Sequence, residues 1–281
     1  MRILITGAGG MLGQDVRQAV EAAGHDPIGL ARAQLDITDS AAVAAAVAGA
    51  RPDVVVNCGA WTNVDGAEAD FEAALAVNGP GAGHVARAAA AAGAWTIHVS
   101  SDYVFNGRKF APYVESDGVD PISAYGNSKL QGELHVAEAA PDSHTIVRSS
   151  WLFGAAGKCF PKTILRLAAE RDQLNVVSDQ VGCPTFTGHL ATALVALADA
   201  PPRGVLHVAG SGHCSWCAFA QEIVAGAGLA CDVRPITTEQ YPLPAPRPSY
   251  SVLESERAAP GLPSWGEGLR EFMAQTTQAA A

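Results

Sequence analysis

The first thirteen residues, MRILITGAGGMLG, narrow the choice of fold more than any other stretch. An apolar run from Arg2 to Thr6 breaks into glycines at 7, 9, 10 and 13, and a helical pattern opens from Leu12. A strand that ends in a glycine turn and reopens as a helix is the first crossover of a parallel sheet. There Gly7 makes the tight turn, Gly10 lets a dinucleotide pyrophosphate approach the backbone beside Met11 and Leu12, and Gly13 allows close helix packing. The spacing is GxxGxxG rather than GxGxxG, so its place in the chain carries more weight than the motif.

The same alternation of strand and helix repeats along the first half of the chain. Strands are expected at Arg2 to Thr6, His25 to Leu30, Asp53 to Asn57, Trp95 to Ser100 and Thr145 to Arg148. Helical patterns fall between them at Leu12 to Ala23, Ser40 to Ala48, Phe71 to Val77, Gly83 to Ala92 and Ala124 to Ala139. The expected fold is α/β, a Rossmann-like doubly wound parallel sheet with a smaller C-terminal substrate-binding domain. Residues 1–150 would form the cofactor domain and residues 151–281 mainly the second domain, with some elements returning to the first. The later half offers helices at Phe160 to Arg171, His189 to Ala198, Trp216 to Ala225 and Trp265 to Met273, with strands at Leu174 to Val177 and Gly204 to Ala209. Seven of the 17 prolines lie between Pro235 and Pro263, which reads as an irregular excursion, a lid or a linker. The final TTQAAA is expected to fray.

Composition excludes several classes of function. A formal net charge of -10 argues against nucleic acid and anionic membranes as partners, though a local basic pocket can still hold one phosphorylated small molecule. No stretch has the length and apolarity of a spanning helix or the form of a signal peptide, and a cytoplasmic location is expected. Six scattered cysteines fit reduced thiols, and CSWC, Cys214 to Cys217, lacks a second pair that would make it a metal site.

Cofactor contacts should continue past the glycines. The second strand ends without the acidic residue that grips a ribose diol, and Arg32 can instead face a 2′-phosphate, which favours NADPH and leaves NADH open. Asp36 and Ile37 either border the adenine or start the next helix. Ala60 and Thr62 follow the third strand, where ligands lie in such sheets, and Asn78 follows the helical pattern Phe71 to Val77; all three are candidate cofactor neighbours, although asparagine serves turns or backbone bonds equally well.

In ISAYGNSKLQGE, Tyr125 and Lys129 are four residues apart and share one helix face. An ammonium beside a phenol favours phenolate and helps proton transfer. Such a pair is weak evidence alone. Ser101, 24 residues upstream at a strand end, adds a hydroxyl for the same substrate oxygen, and the glycine turn adds a cofactor.

The blocks TGAGGMLG, SSDYVFNG, YGNSKLQGE, RSSWLFG, SDQVGCPT, HVAGSGHCSW and RPSYSVLES together resemble the dTDP-4-dehydrorhamnose reductase family of extended short-chain dehydrogenase/reductases, along nearly the whole chain. The resemblance implies reduction of the C4 ketone of dTDP-4-dehydro-L-rhamnose by NADPH or NADH in polysaccharide precursor synthesis. It places the catalytic roles on Ser101, Tyr125 and Lys129, with Lys129 lowering the phenol pKa. It makes Ser101, Asp102, Tyr103, Trp151 and Arg247 candidates for the substrate side. Trp151 and Tyr103 can equally be packing residues, and Arg247 can instead anchor the proline-rich loop through an internal carboxylate. Asp179 is expected as a buried hydrogen-bond organiser or a turn residue. Some members hold Mg²⁺ through glutamates at a dimer interface, but Asp15 stands in that place here, so Mg²⁺ lacks support and no metal ligand is assigned. Monomer and homodimer both stay open. The competing readings are another nucleotide-sugar epimerase or dehydratase, and a non-catalytic reductase-like regulatory protein.

Overall fold

The computed structural model describes residues 1–278, with side chains through 276. The chain opens with β1 (Arg2–Thr6), α1 (Met11–Ala22), β2 (Asp26–Leu30), α2 (Ser40–Ala50), β3 (Val54–Asn57), α3 (Val64–Ala69), α4 (Phe71–Ala76), α5 (Ala82–Ala91), β4 (Trp95–Ser101), α6 (Ala124–Ala139) and β5 (His144–Ser149). It continues through β6 (Leu152–Phe153), α7 (Phe160–Glu170), β7 (Gln173–Val177), β8 (Val181–Gly182), β9 (Thr185–Phe186), α8 (Thr187–Asp199) and β10 (Gly204–His207). The last elements are β11 (Cys214–Ser215), α9 (Trp216–Gly226), β12 (Asp232–Ile236) and α10 (Trp265–Gln278). Residues 279–281, where part of the expected fraying falls, lie outside the described residues.

Six strands form one parallel sheet in the order β10-β5-β4-β3-β1-β2. Because both faces are covered, alternate residues of a strand feed different cores. Ile3, Ile5, Val54 and Val56 pack with Leu12 and Val16 of α1 and Leu190 and Leu194 of α8. Leu4 and Val55 turn the other way, against Val43 and Val47 of α2 and Val85 of α5. The smaller C-terminal domain has its own core, in which Phe153, Phe186, Phe219 and Phe272 meet Ile164, Leu174 and Ile223. Elements from the later half reach the main sheet: β10 completes it beside β5, and α8 lies on α1.

Local chemistry sets the helix ends. Asp39 caps α2 by accepting from the Ala41 and Ala42 N–H groups, and Arg51 closes it in the left-handed region at φ 47°. Ser123 caps α6 by accepting from the Gly126 N–H. At α1 the cap is Gly10, whose missing side chain leaves the first-turn N–H groups without a side-chain partner.

Among the features not expected are two helical ones. Asn63 caps a short additional helix, α3. Between α4 and α5 the helix does not break but widens into a single π turn, Val77–Gly81. Pro80 lies inside that turn and has no N–H to donate, so a wider turn absorbs it where a regular one would lose a bond. The proline-rich segment is an irregular strap rather than a free linker: its backbone bridges join Leu253 to Tyr113, Tyr250 to Val181 and Ser264 to Ser211.

Gly132 of α6 rests on the Asn78 carbonyl of the π turn, where an added methyl would collide with backbone. Gly49 in α2 has open space. Replacing glycine by alanine favours a helix by about 1 kcal/mol, whereas overpacking costs about 1–3 kcal/mol. Urea denaturation should therefore show Gly49→Ala slightly more stable than the parent and Gly132→Ala less stable.

Candidate active site

A cleft of about 1020 Å³ opens at the carboxyl ends of β1 to β5 and is closed on its far side by the C-terminal domain. Gly7 sits at its base with φ 66°, and a Cβ there would stand 2.7 Å from the Gly59 nitrogen, so both conformation and space require glycine. Gly10, Met11, Leu12 and Gly13 line the same end. Unpaired N–H groups at an uncapped helix start, with no side chain in front of them, suit a pyrophosphate.

Arg32, Asp36 and Ile37 line this end of the cleft, and Ala60 and Thr62 join them from the loop after β3. Asp36 also makes the turn its alternative reading foresaw. Its carboxylate accepts from the Thr38 N–H at 3.0 Å and hydroxyl at 2.8 Å, which with a weaker contribution from Arg32 holds its pKa below the usual range. Asn78 follows its alternative reading, its buried amide being used for bonds inside the protein. It accepts from the Trp61 N–H and donates to the Trp61 carbonyl and the Ser128 hydroxyl, and among the described residues it is not part of the cleft wall.

Ser101, Tyr125 and Lys129 all line the cleft. Ser101 is the last residue of β4 rather than the first beyond it. Lys129 is only 2% exposed, and its Nζ donates to the Val99 carbonyl at 2.7 Å. Burial pulls the ammonium down to about 8, against the opposing attraction of the Glu133 carboxylate. Lys129 does not bring the Tyr125 phenol below its usual value. Burial pushes the phenol up to about 12, and the force that pulls it down is the Ser101 hydroxyl.

Behind this group lies an ion pair that sequence reasoning missed. Arg148 of β5 holds Glu133 through two bonds of 2.9 and 2.7 Å, and Ser100 donates to the same carboxylate at 2.6 Å. All three are buried. The available signal was the glutamate of YGNSKLQGE, which lies one helical turn beyond Lys129 on the same face.

The substrate-side candidates are all in the cleft wall. Tyr103 meets Tyr125 edge to face at 5.4 Å, and burial raises its phenol well above the usual value. Trp151 holds a left-handed φ of 49° and stacks on Trp216 with ring centroids 3.5 Å apart. Arg247 lines the cleft and also fulfils its alternative role, gripping Asp65 of α3 through bonds of 3.1 and 2.9 Å. That grip holds the Asp65 carboxyl below its usual range. Asp102 is buried between the Ser101 hydroxyl at 3.0 Å and the Ser251 hydroxyl at 2.6 Å. Trp216, Phe160 and Phe219 also line the cleft and were not foreseen; Trp216 was hidden within CSWC, where the cysteines drew the attention.

Asp179 is exposed rather than buried, and links its loop to the distant segment after β12 by accepting from the Thr238 N–H and hydroxyl. Asp15 lies outside the cleft, its carboxyl raised by burial and lowered by the Thr187 hydroxyl. Among the described residues no cluster of three or more His, Cys, Asp or Glu side chains is arranged to hold a metal ion.

The model of the RmlD substrate binding domain matches residues 1–278. The chain belongs to the dTDP-4-dehydrorhamnose reductase family. It is 45% identical over 285 residues to the dTDP-4-dehydrorhamnose reductase of Streptomyces griseus, covering 99% of this chain and 92% of that one. The solved structure of a dTDP-4-dehydrorhamnose reductase from Clostridium acetobutylicum superposes with a TM-score of 0.95 at 39% identity, covering 99% of this chain and 100% of that one. The Bacillus anthracis reductase, solved in complex with NADP, superposes with a TM-score of 0.94 at 37% identity over 98% of this chain and 99% of its own. Membership of this family makes the chain an NAD(P)-dependent oxidoreductase of the extended short-chain dehydrogenase/reductase superfamily.

The buried Lys129 makes stability depend on pH. The fold gives up its proton near pH 8, whereas the unfolded chain keeps it to about 10.5. The unfolded state therefore binds the extra proton in that window, and stability attributable to Lys129 rises with pH through it. Below pH 8 the buried ammonium is a full liability, on the order of 1–3 kcal/mol. Lys129→Met should raise the urea midpoint at pH 7, with the advantage shrinking towards pH 10.

Proposed function

We propose that the protein reduces the C4 ketone of dTDP-4-dehydro-β-L-rhamnose to give dTDP-β-L-rhamnose, with NADPH preferred to NADH. The observation that carries this reading is the convergence of Ser101, Tyr125 and Lys129 beside the uncapped glycine end of α1, in a chain related from end to end to reductases of this name. The glycine end and Arg32 would hold the dinucleotide. The cofactor supplies the hydride.

The protein's own groups supply placement and a proton. The Tyr125 phenol stays protonated across the physiological range and donates to the oxygen that becomes an alkoxide. As that proton leaves, the Lys129 ammonium one helical turn away stabilises the phenolate. The Ser101 hydroxyl donates to the same oxygen and orients the ketone. Trp151, Trp216 and Phe160 form an apolar wall that limits water around the reacting atoms. Arg247, held by Asp65, presents a planar donor set suited to the substrate pyrophosphate.

Tyr103 follows Asp102 where a dehydratase would need an acid–base partner, and its phenol, raised by burial, stays neutral. This favours the reductase over a dehydratase. The intact Ser101, Tyr125 and Lys129 set favours an enzyme over a regulatory derivative. A cytoplasmic location goes with the reading, since all six cysteines are free thiols. No helix among the described residues is long and apolar enough to cross a membrane.

Purified protein should oxidise NADPH when given the keto sugar; no oxidation of either reduced nicotinamide by folded protein would reject the assignment. Tyr125→Phe should lower kcat by about 10²- to 10⁴-fold, with cofactor affinity nearly unchanged. Arg32→Ala should reduce the preference for NADPH over NADH by about tenfold or more, measured as the ratio of kcat/KM values.

A further inference from the structure

The Ser101 hydroxyl has one proton, and two acceptors compete for it: Asp102 Oδ1, 3.0 Å away, and the Tyr125 phenol oxygen. Its oxygen meanwhile accepts from the Tyr103 N–H at 3.2 Å. A hydroxyl that donates to a carboxylate has nothing left to donate to a ketone. The other carboxylate oxygen, Oδ2, accepts from Ser251 at 2.6 Å, and Ser251 lies on the strap, 149 residues further along the chain. Asp102 itself is buried.

We propose that Asp102 is a positioning residue whose proton decides the direction of the Ser101 hydroxyl, and that Ser251 ties this choice to the docking of the strap. With Asp102 ionised, Ser101 donates to it and is turned away from the substrate oxygen. With Asp102 protonated, the carboxylic acid donates to Ser101 Oγ, and the serine proton is freed for the ketone. The inference rests on the reductase reading, in which Ser101 donates to that ketone.

The surroundings allow the exchange near neutral pH. Burial raises the Asp102 carboxyl to about 6, opposed by the hydrogen bonds from Ser251, Ser101 and the backbone N–H groups of Asp102 and Tyr103. The titratable groups that sense its charge are Tyr103, Tyr125 and Cys183, all raised by burial and neutral around pH 6. Arg247 and Asp65, themselves paired, act on Tyr103, and Glu254 acts on Cys183.

Geometry sets the sign of the pH dependence. Activity should be highest with Asp102 protonated, so kcat should fall as pH rises through a midpoint near 6. In Asp102→Asn the amide can donate to Ser101 at every pH, and this fall should vanish. Ser251→Ala keeps the acid but removes a bond that holds its pKa down, so the midpoint should move to higher pH. A structural role of the strap alone would not move a midpoint in this direction. Infrared difference spectra of the folded protein give a readout independent of turnover: a protonated-carboxyl band titrating near pH 6, absent in Asp102→Asn. Three results would overturn the proposal: an unchanged pH fall in Asp102→Asn, an unmoved midpoint in Ser251→Ala, or the absence of a titrating band in the parent. If no keto sugar is turned over at all, the reductase reading fails, while the infrared band still tests the protonation of Asp102.

Discussion

An ammonium enclosed between a helix and the sheet is the constraint around which this molecule is arranged. Lys129 reaches the cleft from inside the protein, with the Val99 carbonyl as its hydrogen-bond acceptor and the Glu133 carboxylate as its electrostatic support. That placement requires α6 to lie close against its neighbours. Two glycines make the approach feasible, Gly126 against the Tyr103 carbonyl and Gly132 against the Asn78 carbonyl, and in each case a methyl group would meet backbone. The Glu133–Arg148 pair then ties the helix to β5, and Ser100 ties it to β4. A buried ion pair is weak evidence for added stability, because desolvation offsets much of the attraction. Its value here is registry, since it fixes which turn of α6 faces the end of β4.

The strap is the second organising element. It leaves β12, crosses the carboxyl edge of the sheet and contacts two acids that flank the cleft: Arg247 holds Asp65, and Ser251 holds Asp102. Glu115 fastens its far end by accepting from the Ser255 hydroxyl and the Glu256 N–H. One segment thereby connects the wall expected to receive the nucleotide phosphates with the carboxylate beside Ser101. Proline suits that path, because most of its backbone groups are not needed in a ladder.

The parts of the fold readable in advance were those governed by local periodicity. The five sheet strands of the first half and the helix carrying Tyr125 and Lys129 have short-range patterns, and their ends shifted by only a residue or two. The π turn at Val77–Gly81 escaped because a proline within a helical pattern ordinarily signals a break. The glycine end, Ser101, Tyr125 and Lys129 were legible through their order along the chain. Asn78 stayed open in the sequence because an amide serves a ligand and an internal loop equally well, and only tertiary packing shows it bonded to the Trp61 backbone. The Glu133–Arg148–Ser100 cluster and the Ser251 contact to Asp102 depend on tertiary pairing across 15, 33 and 149 residues, for which the sequence holds no local pattern. The direction of the Tyr125 shift was likewise hidden, because the burial that raises it comes from packing between segments distant in the chain.

Under the proposed function, this cleft consumes a reduced nicotinamide once per turnover to reduce a sugar ketone at C4. An internally recycling epimerase or dehydratase would return the hydride to its cofactor. The decisive experiment tracks the hydride itself, using NADPH deuterated at the transferable position and the nucleotide keto sugar, with the product examined by NMR. One deuterium bound at sugar C4 for each cofactor oxidised is the expected result. Label at another carbon, or label retained by a cofactor that is not consumed while the sugar is transformed, would contradict it.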